Sequence, residues 1–549
     1  MTKFRTSDSR TGGFLRAAVG LAVAAGGGCM VGPNYHAPET KLPEAFHEVQ
    51  EAPPGGTGRV VTTSESLAEW WTVFQDPELN SLIDRALRHN RDLKLAVSRV
   101  RQARAERATI AGELTPEVAA TAGYDRALGS RNVQIPLSQL AGSSAGGSGG
   151  GSSSGSASTA RADQVPESGA GSASPSASSG IPPGGPNSPF GEGGLPGVTT
   201  NLYQVGFDAS WELDIFGGAR RALQAADAEI AAASEGQRAL RVSLLAEVAS
   251  YYLQLRSTQE RTAIARRNLE AERQTYAIDR DKFHTGLGNE SPMEQQLAQL
   301  HTTEATLPAL GSAIRATEHD IAFLLGEDAD ALAAELDSPG PLPAIPPAIP
   351  IGVPSELLRR RPDIRQAERQ LAASSANVGV ATAALFPQFS ITGLFGLDSS
   401  TLKQLPEWSS RYYSISPGIQ WPILDWKSLH AAIHVQNELQ AQALLTYQTA
   451  VAQALKDVED ALVNYQNERT RQWALAEAAG AAQRSLLVAQ QTAASGLADQ
   501  LAALAAEGQL LQAQDAVAQS DASLRTDLVA LYKALGGGWR LDDPANGSG

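Results

Sequence analysis

Cys29 is the single cysteine of this 549-residue chain, and its surroundings indicate what its thiol could do. Lys3, Arg5, Arg10 and Arg16 precede a short apolar and small-residue stretch, Ala17 to Gly28, that ends directly at the thiol. Basic, then apolar, then small is the order of a secretory signal, and the stretch is too short to span a bilayer as a mature helix. A small-residue run ending at Cys is also what a lipoprotein-processing peptidase needs, so Cys29 is expected to carry a covalent lipid. The alternative is an unmodified thiol in an ordinary signal peptide, because Gly26-Gly27-Gly28 lacks the usual Leu at the third position before the Cys. Met30, not Asp, follows Cys29; under bacterial lipoprotein sorting that directs the chain to the outer membrane.

The other residue sets that could do chemistry are weaker. His430 and His434 stand four apart, a helical spacing that could put two imidazoles on one metal, but Ala431 follows the first His where a metalloprotease would carry its Glu base. Gly146-Gly147-Ser148-Gly149-Gly150 matches the nucleophile elbow in letters only, since no strand precedes it and no helix follows. The run Arg359-Arg360-Arg361-Pro362-Asp363 could bind an anion; Pro followed by an acidic residue is better read as a helix start with local partners for the arginines. No phosphate-binding Gly loop, paired catalytic carboxylates or Cys/His set stands out, so no enzyme, no metal and no cofactor beyond the lipid is expected. Lys plus Arg is 44 against 59 for Asp plus Glu, a charge of -15 that disfavours nucleic acid as a partner. One cysteine excludes a disulfide scaffold or a multi-thiolate metal site. No run of 18 or more apolar residues offers a spanning helix, although a β-barrel stays open.

The elements that must position any site come from a unit used twice. Asp92, Leu93, Ala96 and Pro116 recur as Asp363, Ile364, Ala367 and Pro387 at one constant offset. Trp211, Leu245, Val248, Gly286 and Leu325-Gly326 recur as Trp421, Leu455, Val458, Gly496 and Leu535-Gly536 at a smaller one. The excess length must lie between Pro116 and Trp211, where Gly, Ser and Pro dominate from Ala141 to Thr200; that composition predicts a disordered loop. A Pro-rich connection from Pro339 to Pro354 joins the copies.

Tyr203, Val205, Phe207, Ala209, Trp211, Leu213 and Ile215 alternate with polar residues and Gly, which is a strand; Tyr413, Ile415, Pro417, Ile419, Trp421 and Ile423 do the same in the second copy. Weaker alternation marks Val118 to Tyr124 and Phe389 to Leu397. Each copy thus supplies two strands, long enough to cross a membrane and with Tyr and Trp near their ends, as a barrel's interfacial girdles require. A half-buried soluble sandwich is the alternative. After Gly217-Gly218 a Pro-free, Ala-, Leu- and Glu-rich segment runs to His284, and its counterpart from Lys427 to about Ser495. Leu245, Val248, Tyr252 and Leu255 step by 3, 4 and 3, as do Leu455, Val458, Leu462 and Tyr465, a coiled-coil-like seam on each. Shorter helices return from the tips to Leu325 and Leu535. Four strands cannot close a barrel in lipid, so the chain must oligomerise; two copies give a filled barrel, and three give twelve strands and room for a lumen.

Cys29 through Pro38 (Met30-Val31-Gly32-Pro33-Asn34-Tyr35-His36-Ala37 between them), Trp70-Trp71 with Phe74 and Asp76-Pro77, Leu358 through Arg365, Phe386-Pro387 and Ala534 through Trp539 together resemble the TolC-type outer-membrane factors, in the lipoprotein branch that serves multidrug efflux. The resemblance covers about Cys29 to Leu541 apart from the Gly/Ser insertion. It implies mixed α and β architecture: a trimeric, twelve-stranded transmembrane β-barrel with four strands per chain, continuing into a long periplasmic α-helical barrel. Such a homotrimer is a passive duct, docked through a periplasmic adaptor (membrane fusion protein) onto an inner-membrane efflux pump. A protein-secretion duct is the alternative within transport, and a soluble coiled-coil scaffold the alternative outside it. The expected layout is a signal peptide at 1–28, an extended segment at 29–64, helices at 65–115 and a β-hairpin at 116–216 with an extracellular insertion at about 131–199. A helical hairpin at 217–326, a linker at 327–354, helices at 355–386, a β-hairpin at 387–423, a helical hairpin at 424–536 and a tail at 537–549 follow. The resemblance puts the adaptor contact at the hairpin tips, Gly286, Leu287 and Ser291 in the first copy and Ser495, Gly496 and Leu497 in the second. It puts a periplasmic constriction at Leu501; Ala505 stands where a ring Asp is common, so Asp499 or Glu507 would have to supply any negative ring, unless all three are ordinary helix-surface residues.

Overall fold

The structure is a computed structural model that describes residues 30–48, 59–61, 67–128, 199–495 and 500–540. Cys29 and the signal segment, nearly all of the Gly/Ser-rich insertion and most of the C-terminal tail lie outside the described residues. The chain divides into two compact units, one from the described residues of 1–115, 213–389 and 419–549, the other from those of 116–212 and 390–418.

The first unit is helical. Asp76 starts α1 (Pro77–His89) by accepting hydrogen bonds from the backbone of Glu78 and Leu79, with Pro77 in the first turn where its missing N–H costs nothing. Leu79, Leu82, Ile83 and Ala86 form the stripe it buries. Next come α2 (Arg91–Gly112), α3 (Gly218–His284), α4 (Glu290–Leu325) and the short α5 (Ala329–Leu336). Beyond the Pro-rich connection lie α6 (Pro354–Arg360), α7 (Pro362–Ala383), α8 (Trp426–Ala494) and α9 (Gln500–Ala534). At 67 and 69 residues, α3 and α8 are each about 100 Å long. Neither could stand alone in water; α3 packs against α4, α7, α2 and α9, and α8 against α9 and α7. A small parallel pair, β1 (Arg59–Val61) with β4 (Ala348–Pro350), ties the chain start to the connection.

Both expected seams are in the core. Leu245, Val248, Tyr252 and Leu255 are fully buried, as are Val458, Leu462 and Tyr465, while Leu455 is half-buried at the edge. Trp70 stacks on Tyr532 with ring centroids 5.3 Å apart. The closing Gly-Gly-Gly-Trp folds back on both: Gly538 donates to the Leu67 carbonyl, and the Trp539 indole donates to Arg360 between the guanidiniums of Arg238 and Arg365. Two arginines of the run have acidic partners, one of them distant in the chain. Arg360 pairs with Glu356 at 3.1 Å, and Arg361 bridges Asp363 at 2.6 Å and Asp457 at 2.9 Å.

The second unit is a four-stranded sheet in the order β2 (Glu117–Leu128), β3 (Thr199–Leu213), β5 (Gln388–Ser399), β6 (Arg411–Gln420). Strands β2 and β3 are antiparallel, from Glu117 opposite Ser210 to Leu128 opposite Thr199. Two strand ends differ from the alternation. Strand β3 stops at Leu213 because the Asp214 carboxylate turns to accept from the backbone of Ala219 and Arg220, capping α3. Strand β6 stops at Gln420 because Pro422 has no N–H for a ladder, and Ile423 enters a 3₁₀ turn instead.

Candidate functional site

The sheet separates its chemistry by face. Tyr124 opposite Tyr203 and Ala122 opposite Val205 share one side, and the Gly393 position lies 3.7 Å from the Ala209 side chain on that same side. Ser390 beside Gly418, and the Thr392 hydroxyl donating to the Ser416 carbonyl, align β5 with β6. Alternation then assigns Val118, Phe207, Ile391, Phe395 and Ile415 to one face, and Thr121, Gln204, Ser390, Ser414 and Ser416 to the other. Phe207 is 55 % and Ile415 74 % exposed, so in a single chain the apolar face is uncovered.

The tip of the first helical hairpin is a turn built on Gly286. Its φ of 73° is the left-handed conformation that ends a helix, with Leu287 N–H donating to Lys282 and Gly286 N–H to Phe283. The turn lifts Leu287 into solvent, 83 % exposed, and Ser291 is exposed on the following helix. At the second tip Ser495 ends α8 with its hydroxyl donating to Gln491. Gly496, Leu497 and Asp499 lie outside the described residues, and Leu501 falls in the first turn of α9 with its side chain undescribed.

Glu507 is half-buried on α9. Burial, and then the carboxyl of Glu272 on α3, raise its pKa above the usual carboxylate range. Glu272 is fully buried; Thr303 and Gln299 of α4 donate to one of its oxygens while burial drives its pKa up. Sequence reasoning missed Glu272, which carries no local signal: its partners come from a helix that returns after the tip. His430 rests half-buried against the Trp426 ring at 4.3 Å, and His434 points to solvent. A second set also escaped the sequence reading. Residues 30–48 lie along the helical unit as a strap held by Arg221, which donates to the carbonyls of Val31 and Gly32 and to Asn34. Tyr35 donates to Glu368, Thr40 meets Tyr447, and the backbone of His47 and Glu48 donates to Glu459. The strap's first described residue, Met30, lies against Gly217, the residue before α3.

Among the described residues no helix is long and apolar enough to cross a membrane. A family model described as "Outer membrane efflux protein" matches residues 152–327 and 353–537. The pyoverdine export outer membrane protein OpmQ of Pseudomonas putida is 32% identical over 501 residues, 90% of this chain and 93% of that protein. Nodulation protein T of Rhizobium leguminosarum bv. viciae is 28% identical, over 93% of this chain and 91% of its own. The solved outer-membrane channel OprN superposes with a TM-score of 0.75 at 34% identity, covering 93% of this chain and 100% of that one.

Proposed function

Because the chain belongs to the outer membrane efflux protein family, we propose that it is the outer-membrane channel of a tripartite efflux system, a duct for drugs or other small compounds delivered by an inner-membrane pump through a periplasmic adaptor. The observation that carries this reading is the sheet with one apolar, uncovered face and one polar face, followed along the chain by helices of 67 and 69 residues. A membrane-spanning sheet leaves no edge unpaired, so four strands demand further copies; three give twelve strands around a lumen lined by the polar face. The helices extend the duct on the periplasmic side, and the exposed turn at Gly286 to Ser291, with Ser495, Gly496 and Leu497 of the second tip, is the adaptor-contact surface. Leu501, with Asp499 or Glu507, is the candidate constriction. Cys29 carries the covalent lipid, and the strap seats its neighbour Met30 at the start of α3. OpmQ is named for pyoverdine export, which suits a duct whose cargo is chosen by its pump. Reconstitution of detergent-extracted protein into a planar bilayer, with the oligomer mass measured in parallel, tests the proposal: ion-conducting trimers are expected, and a salt-extractable, non-conducting monomer would overturn it.

A further inference from the structure

The sheet end where Leu128 faces Thr199, opposite the strand ends that lead along the chain into the helices, carries a chemistry that conduction does not use. Alternation along the strands puts Arg126 and Arg411 on the apolar face, which bears no carboxylate among the described strand residues. Glu117, Asp125, Asp208, Glu212 and Asp398 fall on the polar face, which bears no Lys or Arg. Both arginines sit at the far ends of their strands, Arg126 two pairs beyond Tyr124–Tyr203 and Arg411 as the first residue of β6. A guanidinium on a lipid-facing surface is tolerated at the hydrocarbon boundary, where it meets anionic headgroups.

The connection between β5 and β6 completes a pocket there. Leu402 and Leu405 line an open cavity of about 270 Å³ together with Ala122, Tyr124, Tyr203 and Val205. The Tyr124 hydroxyl is turned aside to Asn201, 3.1 Å away, and the two Tyr rings lie with centroids 4.7 Å apart. Lys403 stands exposed between the two leucines in sequence. The Arg411 guanidinium is held 4.6 Å over the Trp408 ring and donates to the Trp408 carbonyl at 2.8 Å, so it is pre-ordered beside an indole that is 69 % exposed. Glu407 is the one carboxylate of this connection, and it accepts from Ser409.

We propose that this end of the sheet binds a phosphorylated, acylated lipid of the outer leaflet, with acyl carbons in the Leu402–Tyr124 cavity and phosphates on Arg126, Lys403 and Arg411. The inference rests on the channel reading, which puts the helices in the periplasm and so this end at the outer surface. An apolar cavity at the end of the sheet that also carries Arg126, Lys403 and Arg411 matches an amphiphile with anionic phosphate above its chains; a neutral lipid would leave that positive charge unmatched.

The test uses the full-length protein in detergent, titrated with bisphosphorylated lipid A and with its dephosphorylated form, bound lipid being counted by native mass spectrometry. The phosphorylated form is expected to bind at least about tenfold more tightly, roughly the worth of one charge-assisted contact. Replacing Arg126, Lys403 and Arg411 together by Gln should remove that preference, whereas replacing the two arginines by Lys should keep most of it. Equal binding of the two lipids, or an unchanged preference in the Gln variant, overturns the inference. Planar-bilayer conductance of the same samples separates the two readings: conducting trimers indifferent to phosphate sink this inference alone, and non-conducting monomers sink the channel.

Discussion

Asp527 on α9 holds its proton to about pH 6, because burial and then the neighbouring Glu468 make its charge costly. Below the ordinary carboxylate range Asp527 is neutral whether folded or unfolded and contributes no penalty. As pH rises from about 4 to about 6, the unfolded chain gives up this proton first, so the folded state loses stability through that window and carries the full cost above it. Asp527→Asn should therefore stabilise the fold at pH 7 by about 1–2 kcal/mol once solvent screening is allowed for, seen as a higher melting temperature, and do so much less at pH 4. Scans at the two pH values check this; an equal shift at both would contradict it. Gly217 poses a different residue-scale constraint. Its φ is 83°, and a methyl there would meet the Met30 side chain at 2.6 Å. Gly217→Ala should cost about 1–3 kcal/mol and release the strap, read as faster proteolysis within residues 30–48.

At the scale of elements, the seams divide by depth. Leu462 is fully buried between α8 and its neighbours, so Leu462→Ala should cost about 2–5 kcal/mol, whereas Leu455→Ala, at the half-buried edge, should cost less than half as much. Comparing melting temperatures in detergent checks the ranking, and a reversal would mean that the seam is read in the wrong register. The long helices and the two stronger strands were legible because period and length dominate them: no Pro interrupts α3, and Tyr203 to Leu213 alternates without a break. The ends were less legible. Asp214 reads as one more alternating polar residue, and only its bonds to Ala219 and Arg220 show that it belongs to the helix. Of the candidate site, the Gly286 turn could be read from one residue type, whereas the electrostatic influence of Glu272 on Glu507 and the Arg221 grip on the strap depend on residues far apart in the chain.

At the scale of the whole molecule, Leu128 and Thr199 face each other across β2 and β3, so the ends of the long insertion are only about 5 Å apart. A two- to four-residue turn can close that gap with the register kept. A chain lacking residues 131–198 should still form trimers and conduct; loss of assembly, seen as monomers by mass, would show that the insertion helps to build the barrel.

The strap sets a clock on maturation. Its bonds from Thr40, His47 and Glu48 reach Tyr447, Glu459 and Gln466, partners made 407 to 418 residues later in synthesis. The stretch beside Cys29 emerges long before these partners and is among the last to find its whole seat. Arg221 can hold Val31 to Asn34 early, but the Thr40 to Glu48 half must travel unlatched for most of translation, and a chain that stalls before Tyr447 has no place to fasten that half. Latching there therefore reports that synthesis has passed the first helical hairpin and run well into α8, a check that no local turn could provide.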